Sequence, residues 1–374
     1  MAVVEGECNP RFEEVKRVLN ENLDSGADLG ASVAVIHDGN VVVDIYGGYS
    51  DKEQKIPWQA DTITNVWSST KTMMALSALV LVDRGELDVD RPVANYWPEF
   101  GAAGKADIPV RDLLSHCAGL SGWQEDITEE DYYDHQKCSD LLAAQEPWWA
   151  PGSASGYHAI TQGYLVGEVV KRVSGISLGE FFRKEIAEPL DADFYIGLES
   201  KHDHRVSPIV PPTDFSFEID PEGPGYRTFT NPELNARIAH QEPWRRAEIP
   251  AANGHGNAKG AALAQAAVAH GGEYGGVKLL SPETIDLIFK EQANGTDLVL
   301  GIPLRFGIGY GLPNEVAPYL PNGNVCFWGG WGGSLVIVDT DNHLVFTYMM
   351  NRMGAGLVGD ERGAALIEAL YRAI

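Results

Sequence analysis

Residues 324–351 read NVCFWGGWGGSLVIVDTDNHLVFTYMMN. Runs rich in valine, leucine, isoleucine and aromatics are broken by a glycine-rich stretch and by Asp339–Asn342. This pattern predicts consecutive strands, with a hairpin turn between the last two. A matching signal lies near the other end of the chain. In ASVAVIHDGNVVVDIYGG, residues 31–48, two β-branched runs flank Asp38-Gly39-Asn40, a strong hairpin signature. Strands at both ends with helices between them are most economically satisfied by one antiparallel sheet flanked by helices, with a mostly helical domain inserted.

Working outward, Phe12, Val15, Val18 and Leu19 have helical spacing, in a segment that stops near Gly26. An apolar helix is expected from Ser68 to about Arg84, with Gly85 as its stop. VRDLLSHCAGL, CSDLLAAQ and AITQGYLVGEVVKRVSG also read as helical, as do residues 258–270 and 281–292. RFGIGYGL, residues 305–312, reads as a strand, and a helix from about Asp360 closes the chain. Residues 205–250 are rich in proline and aromatics with weak periodicity. They predict a long irregular excursion, with apolar walls for a pocket between Ser207 and Phe229. The expected division is an α/β sheet domain from 1–84 and 255–374, and a helical domain from 85–254 that carries the 205–250 pocket loop. The cleft is expected where the two meet.

The 374 residues carry a formal charge of −25, which repels phosphate backbones and argues against a nucleic-acid partner. No run of about 18 apolar residues appears, so no membrane span is expected. No basic segment followed by an apolar one opens the chain. Cys8, Cys117, Cys138 and Cys326 are scattered, a usage that fits reduced thiols and a cytoplasmic protein.

The chemistry centres on NVWSSTKTMMALSAL, residues 65–79. Ser68 and Lys71 lie three apart and share a helix face. A serine hydroxyl becomes a useful nucleophile only when a base takes its proton. For a lysine to do so near neutrality its pKa must fall by roughly 3 units, through burial and neighbours. A polar helix end would show the same two residues. However, no other serine in the chain has a lysine three positions on, and TMMALSALVLV is apolar enough for a buried central helix. There is no G-x-S-x-G elbow and no H-E-x-x-H. His202 and His204 form an isolated H-x-H in a polar loop, and His116 and His255 read as structural hydrogen-bonding residues. No metal or other cofactor is implied.

Four motifs in order extend this picture: SSTK at Ser68–Lys71, VRDLLSHCAGL, PGSASGYHAITQGYLVGEVVKRVSG, and FWGGWGGSLVIVD. Together they resemble the serine β-lactamase/penicillin-binding-protein superfamily, and within it class C β-lactamase-like enzymes and family VIII carboxylesterases. The resemblance spans residues 10–374 and implies the β-lactamase/transpeptidase-like fold. It implies Ser68 as the acylated nucleophile, Lys71 as its partner and Tyr157 as a phenolic base. The oxyanion hole would be the backbone N–H groups of Ser68 and Trp331. Trp328, Gly329, Gly330, Ala159 and Arg352 would contact substrate, although Arg352 also reads as a surface or helix-cap charge.

Two departures bear on activity. The family's Y-x-N is Tyr157-His158-Ala159 here, and Trp328 occupies the lysine position of K-T-G. Both weaken the case for β-lactam turnover and leave acyl transfer through serine intact. The expectation is therefore a carboxylesterase acting on a small-molecule ester. The alternatives are a β-lactamase or D-amino-acid peptidase, an acyltransferase, and, more remotely, a non-catalytic ligand-binding protein.

Overall fold

The computed structural model describes residues 3–212, 220–233, 235–356 and 359–374. Both ends of the chain build one six-stranded sheet. Its strands are β1 (Val4–Cys8), β2 (Gly30–His37), β3 (Asn40–Gly48), β4 (Val325–Gly329), β5 (Leu335–Asp339) and β6 (Leu344–Met350). The order is β1-β3-β2-β6-β5-β4 and every neighbour is antiparallel. The β2–β6 ladder, which pairs Val33 with Tyr348 and Val35 with Phe346, closes the two ends into one sheet. The β2–β3 hairpin turns on Asp38 and Gly39, both at positive φ, as a two-residue primed turn requires.

Both faces of the sheet are covered, so its central strands are almost continuously apolar. Val33, Val35, Ile337, Phe346 and Tyr348 pack with Val15, Leu19, Leu366 and Leu370 of the terminal helices Glu13–Asp24 and Glu361–Tyr371. The alternate residues Ala34, Ile36, Val336, Val338 and Val345 face the other way. They pack on the helix Ala258–Ala269 and the central helix Thr70–Asp83. Every residue of the central helix from Thr70 to Leu81 is buried, Lys71 included. A helix apolar on all sides has no solvent face to offer.

Several boundaries differ from expectation. The α-helix begins at Thr70, and Ser68 lies in a preceding 3-10 turn, Trp67–Ser69. The helix at 110 ends at Leu114, two residues before His116 turns to positive φ. The helix expected over 281–292 covers Pro282–Ile288; the chain then enters a strand, Ala293–Thr296, which pairs with Pro303–Phe306. The strand expected over 305–312 stops at Phe306, because residues 307–310 fold back in a turn closed by Gly307 N–H on Tyr310 O at 3.0 Å. The 205–250 excursion is not wholly irregular. It holds short helices at Pro224–Thr230, Ala236–His240 and Glu242–Arg246. Phe215 and Phe217, in the expected pocket wall, lie outside the described residues. Among the described residues no helix is long and apolar enough to cross a membrane.

Candidate active site

A short strand, Ile63–Asn65, delivers the chain to the turn before the central helix. Val66 N–H is held by Gly254 O at 2.9 Å. Trp67 follows at φ 48°, a left-handed conformation that a bulky side chain rarely adopts. Its indole is wedged against Trp331 and Trp244, with ring centroids 5.1 and 5.7 Å away, so packing over-determines the conformation. The bend separates the two adjacent serines. Ser69 is fully buried, its hydroxyl 2.9 Å from that of Ser334, whereas Ser68 is partly exposed.

Lys71, one helical turn on, makes three contacts through Nζ: to Ala159 O at 2.6 Å, Ala251 O at 2.9 Å and Ser68 Oγ at 3.3 Å. No carboxylate is among them, and burial drives the ammonium well below the ordinary lysine pKa. Tyr157 lies across Lys71, with Nζ 4.9 Å from the ring centroid. Its hydroxyl accepts the Trp328 indole N–H at 3.2 Å. Burial pushes the phenol above its ordinary value, outweighing the opposing pull of the Ser68 hydroxyl and the Trp328 indole. Burial thus favours the neutral form of both groups.

The edge strand β4 meets this constellation at its C-terminal end. Ser334 Oγ donates to Val66 O at 2.8 Å while also contacting Ser69. A Cβ on Gly330 would collide with that same Val66 carbonyl and with the Ser334 hydroxyl. The nucleophile turn and the Gly329–Trp331 edge are therefore sewn together at main-chain distance. Tyr157, Ala159, Phe229, Val299, Leu304, Phe306 and Trp328 form a separate apolar cluster beside the edge, with Trp149, Leu300, Ile302 and Val316 at its margin.

The sequence-predicted residues divide accordingly. Ser68, Lys71, Tyr157 and Trp328 converge, with Ala159 beside them. Ala159 holds Lys71 through its carbonyl, and the only indole donor of Trp328 is taken by Tyr157. Arg352 is fixed by its main chain, bridged to Val210 and accepting from Arg362 at 2.8 Å. His202 and His204 lie apart, in a 3-10 turn at Ser200–Arg205, with the His202 ring tilted against Tyr195 at 4.4 Å between centroids. His255 is buried and its Nδ1 meets Asn253 O at 2.8 Å.

Of the residues that support Tyr157, His116 is the structural hydrogen-bonding residue the sequence leads one to expect, whereas His158 and Asp297 were missed. His116 Nδ1 accepts the His158 N–H at 3.0 Å, and His158 Nε2 accepts the Leu120 N–H at 3.0 Å. With Nε2 an acceptor, the 2.6 Å contact of His158 Nδ1 with Gly156 O makes Nδ1 the protonated nitrogen of a neutral ring. Asp297 Oδ1 accepts the Tyr157 N–H at 3.0 Å. In sequence Asp297 signals only a local turn, where an Asp before an apolar run caps the N–H groups two and three residues on.

A profile of the family described as Beta-lactamase matches residues 15–370. The chain is 36% identical to the Esterase/beta-lactamase LipL of Mycobacterium tuberculosis over 368 residues, covering 94% of this chain and 84% of that one. A crystal structure of a family VIII carboxylesterase superposes with a TM-score of 0.95 at 40% identity, over 100% of both chains. A penicillin-binding-protein homologue from Caulobacter crescentus superposes with a TM-score of 0.94 at 38% identity, again over 100% of both.

Proposed function

The chain belongs to the beta-lactamase family, and from that membership we propose that it is a serine carboxylesterase working through an acyl-enzyme on Ser68. The observation that carries the reading is the coordination of Lys71 Nζ. Two carbonyls take two of its hydrogens, and the third tetrahedral direction faces Ser68 Oγ. With the ammonium destabilised by burial, that direction holds a lone pair aimed at the serine proton.

The steps balance without any further group. Ser68 Oγ–H gives its proton to the Lys71 amine as Oγ bonds the ester carbon. The N–H groups of Ser68 and Trp331 receive the oxyanion. Collapse breaks the bond to the leaving alcohol, which takes the Tyr157 proton. The resulting phenolate is stabilised by the Lys71 ammonium beside it. Water then gives a proton to the phenolate and attacks the acyl carbon, and Ser68 leaves with the proton held on Lys71. On this reading residues 85–254 form the second wall of the cleft.

The apolar cluster around Trp328 suits an uncharged acyl or alcohol group. A β-lactam's ring carboxylate finds no indole donor to spare, and Ala159 supplies no side-chain amide. Missing one donor to a charged group costs about 1.5–3 kcal/mol, roughly ten- to more than a hundredfold. The expected result is a far higher kcat/KM for p-nitrophenyl butyrate than for nitrocefin on one preparation, with a fluorophosphonate adduct on Ser68. A higher value for nitrocefin would move the assignment to a β-lactamase. Absence of the adduct would move it to a binding protein.

A further inference from the structure

Tyr157 stands in a segment without regular secondary structure, so its place against Ser68 has to come from tertiary bonds. Three successive N–H groups supply them. Gly156 N–H donates to His116 O at 2.9 Å, Tyr157 N–H to Asp297 Oδ1 at 3.0 Å, and His158 N–H to His116 Nδ1 at 3.0 Å. Only the middle bond reaches across to the opposite wall. Asp297 is fully buried, and its oxygens accept hydrogen bonds from neutral donors. Oδ1 also accepts the N–H groups of Val299 and Leu300, each at 3.0 Å, and Oδ2 accepts Ser155 Oγ–H at 2.9 Å. The tie is reinforced by Leu298 N–H on Ser155 O at 2.9 Å. One carboxylate thus joins the Tyr157 segment to the loop whose Val299, Leu300 and Ile302 border the apolar cluster.

A buried carboxylate is costly unless its oxygens are fully hydrogen-bonded, and four donors aimed at one group make a preorganised socket for an anion. We propose that Asp297 is the positioning residue for Tyr157: a buried carboxylate clamp that fixes the phenol's reach to Ser68 by anchoring it to the pocket wall. The inference rests on the reading of Tyr157 as the proton donor to the leaving alcohol.

That role has a signature which loss of fold alone does not produce. p-Nitrophenolate departs without a proton, whereas ethoxide needs one. The ratio of kcat/KM on p-nitrophenyl butyrate to kcat/KM on ethyl butyrate covers acylation alone, the only step in which the two leaving groups differ, and therefore reports proton delivery. Both are measured per site titrated by fluorophosphonate, which removes misfolded enzyme from the count. Tyr157→Phe is expected to raise the ratio by about a hundredfold, in the range of a lost general acid. Asp297→Ala is expected to raise it in the same direction by about tenfold or more. Asp297→Asn keeps an oxygen for the three N–H groups and lets the Ser155 hydroxyl accept instead of donate, so its ratio is expected within about threefold of wild type. Should Asp297→Ala give no titratable sites, Asp297→Glu, which displaces the carboxylate by one methylene, replaces it with the same expected direction. An unchanged ratio in the substituted enzyme while Tyr157→Phe shifts it overturns the inference alone. An unchanged ratio in Tyr157→Phe overturns the proton-donor reading and the inference with it.

Discussion

The neutral amine proposed for Lys71 makes a demand that an ammonium would not. Its folded pKa is depressed by burial, so the reactive form exists above that pKa and is lost as pH falls through it. The groups facing it are Ser68, Tyr157 and, through its field, His116 and His158. An acid limb in kcat/KM is therefore expected in the wild type. Lys71→Arg keeps donors for the Ala159 and Ala251 carbonyls but stays charged at any accessible pH. It is expected to be inactive up to pH 10, and activity that rises with pH in this variant would rule out lysine as the base. Lys71→Ala and Tyr157→Phe act on one proton path, so the double variant is expected to be little slower than the worse single. Multiplicative losses in steady-state assays would separate their roles. Of these residues, Ser68 and Lys71 are picked out by their spacing together with the uniqueness of that pair and the apolar run behind it, and the structure brings the two side chains within 3.3 Å. Tyr157 could be placed only through the family resemblance of its motif, since nothing local marks it out from any half-buried tyrosine.

At the scale of elements, the segment after the helix Val110–Leu114 and the segment carrying Tyr157 are laced together by imidazoles. His116 and His158 are both buried, and burial pushes both well below the ordinary histidine range, His158 to about 3. Their folded forms are neutral and their unfolded forms gain protons below pH 6.5. The unfolded chain thus binds more protons between pH 6.5 and about 3. The stability present above pH 6.5 drains away as pH falls through that window. The melting temperature is expected to fall on going from pH 7 to pH 5, and the fall should shrink in His158→Gln, which has no proton to gain. An equal fall in the variant would remove His158 from the account. This lacing also shows what the sequence hid. Strands and helices whose own periodicity reports their burial, such as β2, β3, β6 and the terminal helices, were legible. Helix ends were not where a tertiary contact decides them: past Ile288 the chain pairs instead, with Gln292 N–H on Phe306 O at 2.8 Å. Asp297 and Tyr157 are 140 residues apart, and no local pattern encodes a bond of that span.

At the scale of the whole molecule, a buried guanidinium helps to close the two ends of the chain on each other. The sheet draws its strands from residues 4–48 and 325–350, so something must hold the chain ends in register beyond the ladder itself. Arg362, on the C-terminal helix, donates to Asp28 Oδ1 at 2.9 Å and to Ala27 O at 3.2 Å, both just before β2. It donates to Arg352 O at 2.8 Å after β6, and to Gly332 O at 2.6 Å beside the Trp331 turn. The carboxylate is fully buried, the guanidinium nearly so, and Asp28 also accepts Tyr348 Oη–H at 2.6 Å. A rigid planar fork carries five donors that reach acceptors on several sides, whereas a lysine ammonium offers three from one point. Removing one member of a buried pair strands the other charge away from water, at a typical cost of about 3–5 kcal/mol. Arg362→Ala is therefore expected to lower the urea midpoint sharply, with Arg362→Lys intermediate. Replacing both buried partners, as Arg362→Met with Asp28→Asn, should recover part of the loss, because the fully buried Asp28 charge is removed with its partner and only Asp360, a second and partly exposed partner of Arg362, loses its pair. Arg17, whose bonds to Glu14 and Glu21 sit on an exposed helix face, provides the contrast: Arg17→Ala should leave the midpoint within error. If Arg362→Ala shifted the midpoint no more than Arg17→Ala does, the buried cluster would not be what fastens the two ends of this chain.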